Sequence, residues 1–203
     1  MEGLEVLNLL LNERPQFHGR ELAGRHNYAI ATEVLEWLAK YLPYGCNTIE
    51  TGCGYSTIIL GCIANKHIAI SPFTEEHQLI ISWCAEKGIA TDRLEFIAKP
   101  SQDVVPNLPD SIFDFVLIDG DHAFPAPFID WYYLADMLRV GGYLAIDDTQ
   151  IPTGRILKDF LTMESDRWSL TAELGKTTIF RRTSDLKVAK GIMWNEQPFC
   201  LEQ

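Results

Sequence analysis

From residue 47 to residue 163 short apolar runs alternate with helical stretches, and this alternation constrains the fold more than any other feature of the 203-residue chain. The runs "NTIET", "HIAIS", "LEFIA", "FDFVLID" and "YLAID" have the length of strands and are bounded by turn residues. Helical stretches begin at about Tyr55, span about Thr74 to Lys87, pass near Gln102, span about Ala126 to Leu138, and run near Arg155 to Met163. Repeated strand–helix alternation gives a parallel sheet covered by helices on both faces. "WSLTAEL" and "TTIFRRT" follow with only Gly175 and Lys176 between them, a link short enough to permit only an antiparallel hairpin. The expectation is an α/β fold with a mostly parallel seven-stranded sheet that ends in a C-terminal antiparallel hairpin. Upstream, Tyr28, Ala31, Val34, Leu35, Leu38 and Leu42 recur at spacings of three and four, which predicts a helix ended by Pro43. One domain over residues 1–203 is expected, with 1–44 as an N-terminal helical cap, 45–183 as its core and 184–203 as a tail.

Charge and cysteine usage narrow the classes. A formal net charge of −11 repels phosphate backbones, so nucleic acid and anionic membrane surfaces are not expected partners and a small molecule is. The five cysteines form an odd set with no C-x-x-C pair, which indicates neither a disulfide framework nor a zinc site. The N-terminus lacks the basic start of a signal peptide, and no apolar run reaches the roughly 20 residues that span a bilayer. These features set the expectation of a soluble, cytoplasmic protein.

In an open α/β sheet ligands bind beyond the carboxyl ends of the strands. Those ends read "ETGCGYS", "SPF", "KPSQD", "DGDH" and "DDTQ". Gly52 and Gly54 sit between a strand and a helix, where glycine permits a tight turn and the helix N-terminus offers N–H groups to an anion such as a carboxylate. A third glycine at position 57 would complete a dinucleotide fingerprint, but Thr57 stands there. Glu50, a carboxylate at a buried strand end, needs a cationic or hydrogen-bonding partner. An ammonium group would satisfy it, so the turn suits an amino-acid moiety.

The stretches "CGYS" at 53–56, "SQDVVPNL" at 101–108, "LIDGDH" at 117–122 and "AIDDT" at 145–149 together resemble class I S-adenosylmethionine-dependent methyltransferases, over about residues 46–182. More narrowly, the chain is similar to small metal-dependent O-methyltransferases of the catechol O-methyltransferase type and to bacterial sugar O-methyltransferases with a "DGDH" turn. The resemblance implies a Rossmann-like, cofactor-binding core at 45–183. It implies that Glu50, Gly52, Gly54, Tyr55 and Ser56 surround the methionine part of S-adenosylmethionine and that Ser101 and Gln102 contact its adenine. It also implies that Asp119, at the edge of the cofactor site, joins Asp147 and Asp148 in binding a magnesium ion or similar cation, and that His122 is the catalytic base. Where the family has an acidic residue for the ribose hydroxyls, this chain has Ser71, with Glu75 or Glu76 as candidate substitutes.

The chemistry suits these residues. A neutral hydroxyl is a poor nucleophile, and a divalent cation with oxygen ligands both acidifies and orients it. The ordinary pKa of histidine, about 6.5, suits it to take the proton. The expected activity is metal-dependent O-methylation of a small hydroxylated molecule. The alternatives are a metal-independent methyltransferase using His122 and a non-catalytic nucleotide-binding domain of the same fold. Asp121 is read as a turn residue, Asp148 alternatively as a helix cap, and Trp131, Tyr132 and Tyr133 as helix residues packing on the sheet. His18, His26, His67 and His77 are read as surface or packed residues. Phe124, Pro125, Ile151 and Arg155 are expected on an acceptor wall, and the apolar tail is expected to cover the site or to pair with another chain as a homo-oligomer.

Overall fold

A computed structural model describes residues 3–18, 29–186 and 193–201. Seven strands, β1 (Asn47–Thr51), β2 (Lys66–Ile70), β3 (Leu94–Ile97), β4 (Phe113–Ile118), β5 (Leu138–Ile146), β6 (Trp168–Leu174) and β7 (Thr177–Arg182), form one sheet in the order β3-β2-β1-β4-β5-β7-β6. Strands β1 to β5 pair in parallel, whereas β7 pairs antiparallel with both β5 and β6. The expected sheet is therefore the observed one, a Rossmann-like α/β architecture.

The helices are α1 (Gly3–Glu13), α2 (Thr32–Tyr41), α3 (Tyr55–Ile63), α4 (Thr74–Glu86), α5 (Ser101–Val104), α6 (Ala126–Met137), α7 (Pro152–Met163) and α8 (Pro198–Leu201). The two-residue period of a strand divides them between two cores. On β4, Phe115 and Leu117 face the cluster that holds α1 to α4, while Val116 and Ile118 face the cluster that holds α6 and α7. Trp131 belongs to the second cluster, with Tyr132 and Tyr133 packed against it. Both faces of the central strands are thus apolar, as a covered parallel sheet requires.

Two local expectations are corrected. The helix expected from Tyr28 begins at Thr32: Ala31 is extended (φ −58°, ψ 143°), and Ala29 and Ile30 before it line the cavity at the strand ends. Tyr28 and His26 lie outside the described residues. The described part of the tail does not cover the strand ends. Its Phe199 ring packs edge-on against Phe160 of α7, with centroids 5.3 Å apart. Among the described residues no helix is long and apolar enough to cross a membrane.

Candidate active site

The turn after β1 is built from the inside outward. The Glu50 carboxylate is buried, and Ser56 Oγ donates to its Oε2 at 2.6 Å, Thr57 Oγ1 to its Oε1, and His67 Nε2 to Oε1 at 3.1 Å. Thr48 Oγ1 lies 2.8 Å from the other ring nitrogen of His67. Thr57 also accepts the Gly54 N–H at 2.9 Å, so the residue that breaks the dinucleotide fingerprint is the one that ties the turn to Glu50. This corrects the sequence reading: Glu50 does not line the cavity and faces internal donors instead of a ligand's ammonium group. His67, read as a surface or packed residue, is packed and fully buried, and it also bonds to Glu50.

Gly52 adopts φ +95°, a left-handed conformation that favours glycine. A Cβ there would lie 2.3 Å from the Asp119 carbonyl oxygen, so this glycine lets the ends of β1 and β4 approach. Gly54 has extended backbone (φ 171°) and lies open to the cavity.

A cavity of about 1010 Å³ runs along the carboxyl ends of the strands. Ser101 and Gln102 after β3, Ser71 after β2, Gly52 to Ser56 after β1, Asp119 to Ala123 after β4, and Asp147 and Asp148 after β5 all line it. Nine of the expected site residues on this wall, and His122 and Asp148 with them, are brought to one rim because parallel strands all end on the same side. Of the expected acceptor wall, Ile151 lines the cavity, whereas Phe124, Pro125 and Arg155 do not.

The acidic end is more closely knit than the sequence suggests. His122 Nε2 lies 3.2 Å from Asp148 Oδ2 and 3.8 Å from Asp119 Oδ1. Asp148 adopts φ +51°, held there by Lys176 Nζ and Gln150 Nε2, each donating to Oδ1 at 2.7 Å. Burial alone would raise the Asp148 pKa, but these hydrogen bonds and the His122 charge outweigh it and hold the carboxyl below its ordinary value. Lys176 is raised in turn, chiefly by its bond to Asp148. Asp119 is pushed well above the usual carboxylate range by burial, with Asp147, Glu50 and Asp148 adding to the effect. Asp121 Oδ1 accepts the Ala123 N–H at 2.9 Å, the turn role expected of it.

The three aspartates stand close together, but Asp147 and Asp148 are already engaged by donors of the protein itself. Thr177 Oγ1 donates to Asp147, and Asp148 is engaged by Lys176, Gln150 and His122. Among the described residues no three His, Cys, Asp or Glu side chains form a group able to hold a metal ion. The magnesium site expected from Asp119, Asp147 and Asp148 is therefore not assembled here. Lys176 stands among them, its ammonium delivered to Asp148 by the β6–β7 turn because Thr178 of β7 pairs with Ile146 at the end of β5.

Residues 49–149, which hold four of the five rim segments and every expected site residue, match the family described as "Methyltransferase domain". Residues 49–149 are a methyltransferase domain. Solved structures agree on the fold. TomG, an O-methyltransferase from Streptomyces achromogenes involved in tomaymycin synthesis and solved with SAM, is 17% identical with a TM-score of 0.62, covering 89% of this chain and 90% of its own. An O-methyltransferase from Bacillus cereus in complex with SAH is 18% identical with a TM-score of 0.60, covering 89% and 91%. An rRNA methylase from Streptococcus thermophilus is 15% identical with a TM-score of 0.56, covering 73% and 93%. No curated protein matches the chain.

The methyltransferase domain's cavity also recruits groups from outside the motifs. His18 Nδ1 lies 3.2 Å from Glu76 Oε1, Cys53 Sγ donates to Glu76 Oε2 at 3.6 Å, and all three residues line the cavity. Burial pushes the Cys53 thiol up, so it stays a donor. His18 is carried by a strap in which Phe17 packs between the Tyr55 and Trp83 rings and Tyr55 donates its hydroxyl to the Pro15 carbonyl at 2.9 Å. Lys176 and His18 left no sequence signal; Glu76 left one, its place in the first turn after β2.

Proposed function

We propose that the protein transfers the methyl group of S-adenosylmethionine to an oxygen of a small hydroxylated molecule, with His122 as the base. What carries this reading is the pairing, in one cavity of a methyltransferase domain, of a cofactor-length rim with the His122–Asp148 contact at one end. The adenine would meet Ser101 and Gln102, and the methionine part would lie along Gly52, Gly54, Tyr55 and Ser56 towards Asp119. The sulfonium is positive, and the carboxylates of Asp147 and Asp148 supply a field that favours it. The net charge of −11 supports a small acceptor over a polyanion.

At the acceptor end, His122 takes the hydroxyl proton on Nδ1, the ring nitrogen that Asp148 does not engage, as the oxygen attacks the methyl carbon. The carbon–sulfur bond breaks, its electron pair stays on sulfur, and S-adenosylhomocysteine is left. Asp148 Oδ2, 3.2 Å from Nε2, accepts the proton-bearing nitrogen's hydrogen bond, orients the ring and stabilises the imidazolium formed. With Asp148 committed to His122 and Lys176, the hydroxyl is activated by the histidine itself, which favours the metal-independent alternative. Calorimetry with S-adenosylhomocysteine, followed by methyl transfer to a panel of catechols and sugars, tests the reading. His122→Ala is expected to lower transfer about 10²- to 10⁴-fold with cofactor affinity unchanged. Wild-type transfer is expected to survive chelation, and loss on chelation with recovery in magnesium would refute the metal-free route. Absence of any cofactor binding would favour the non-catalytic domain.

A further inference from the structure

Lys176 enters the acceptor end of the cavity from the β6–β7 turn, and its backbone is fastened there. Thr149, the neighbour of Asp148, donates both its N–H, at 2.9 Å, and its hydroxyl, at 2.8 Å, to the Lys176 carbonyl. A Cβ on Gly175 would lie 3.3 Å from Ala31 Cβ, so the turn also packs against the segment leading into α2, where Ala29 and Ile30 line the cavity.

The ammonium is held in turn. Nζ donates to Asp148 Oδ1 at 2.7 Å, and His122 Nε2 lies 3.2 Å from Asp148 Oδ2. One carboxylate therefore keeps an ammonium and an imidazole next to each other. It does so at φ +51°, a conformation that a non-glycine residue keeps only where surrounding contacts impose it. Asp148 takes one of the three ammonium donors, and the described residues leave the other two unused. The side chain is half exposed, and among the described residues lining the cavity Lys176 is the only lysine or arginine. Its hydrogen bond to Asp148 outweighs burial and raises its pKa, so the group stays an ammonium and acts as a donor, not as a second base.

We propose that Lys176 binds the acceptor, its ammonium donating to the oxygen next to the hydroxyl that His122 deprotonates. The inference rests on the transfer to oxygen through His122. A fixed positive charge beside the reacting oxygen favours the loss of its proton, and a donor on the neighbouring oxygen holds the acceptor in line. These are the two services that a divalent cation gives a bound hydroxyl. The acceptor selected in this way carries two adjacent oxygens, because a lone hydroxyl meets His122 or Lys176 but not both. The oxygen that Lys176 takes is a neutral one, since the Asp147 and Asp148 carboxylates beside the ammonium oppose an anion.

Methyl transfer in the presence of a chelator tests this with pairs of acceptors, each differing by the hydroxyl next to the reacting one: catechol with phenol, and methyl glucoside with its deoxy forms. Lys176→Met is expected to lower kcat/KM for the diol about 10- to 100-fold, the loss of a charge-assisted hydrogen bond. Its affinity for S-adenosylhomocysteine by calorimetry should stay within about 2-fold of wild type, which a general loss of structure would not allow. Removing the neighbouring hydroxyl is expected to cost wild type at least about 10-fold and Lys176→Met less than about 3-fold, because the hydroxyl's partner is already gone. A folded Lys176→Met that transfers to the diol within about 2-fold of wild type overturns the proposal. So does wild type that methylates the single-hydroxyl acceptor as well as the diol, whether or not the variant folds. Wild type that binds S-adenosylhomocysteine but methylates none of these acceptors, chelator or not, removes the reading of a small hydroxylated acceptor and this proposal together.

Discussion

Gly52→Ala puts the tightest geometry in the site under test. The added Cβ meets two fixed backbone atoms, the Asp119 carbonyl oxygen at 2.3 Å and its carbon at 3.0 Å, so no side chain can turn aside to relieve it. Two costs add. Alanine in the left-handed region costs about 1–2 kcal/mol, and forcing packed elements apart costs typically about 1–3 kcal/mol more. Gly88→Ala isolates the first: φ is +67° and nothing lies within 4 Å of the added atom. Urea denaturation should therefore show a loss of about 1–2 kcal/mol for Gly88→Ala and about 2–5 kcal/mol for Gly52→Ala. At about 2–4 °C per kcal/mol for a chain of this length, the Gly52 variant should melt about 4–20 °C lower. It should also bind S-adenosylhomocysteine weakly, since the β1 and β4 ends must part. Equal losses for the two variants would refute the argument that the ends of β1 and β4 meet through Gly52.

Three further outcomes follow from the polar side chains. His67→Leu leaves Thr48 Oγ1 and one acceptor position of Glu50 unmatched in the core, so chemical denaturation should show a loss of about 3 kcal/mol; a loss under 1 kcal/mol would mean the network is not a support of the turn. Asp130 is fully buried, and burial pushes its carboxyl up to about 6, with the Ser101 and Thr51 hydroxyls offsetting only part. Between about pH 4 and pH 6 the folded form keeps a proton that the unfolded form has released, so stability falls as pH rises through that window and stays lower above it. The difference is worth about 3 kcal/mol; Asp130→Asn should lose this pH dependence in denaturation at pH 4 and pH 7.5, and profiles parallel to wild type would refute the assignment. Lys176→Met removes an ammonium that competes at Asp148, and because Lys176 is half exposed the gain is screened: magnesium affinity by calorimetry should rise about 3- to 5-fold. An unchanged or weaker affinity would show that Lys176 does not guard the carboxylates.

The sequence by itself determined the order of elements, the parallel sheet and its terminal hairpin, and the rim on which Ser101, Gly52, Asp119, His122 and Asp147 meet. Each of these rests on periodicity within a few residues or on the rule that parallel strands end together, and both are local properties of the chain. Partners far apart in the chain were decided only in three dimensions. His67 reaches Glu50 across 17 positions, Lys176 reaches Asp148 across 28, and His18 reaches Glu76 across 58. Such pairs carry no spacing signature, because a side chain's partner depends on which strands neighbour each other and how their ends register. That is why Glu50 read as a ligand's partner and proved to be a turn's support. It is also why three aspartates read as a metal site, whereas β7, pairing beside β5, sets a lysine among them.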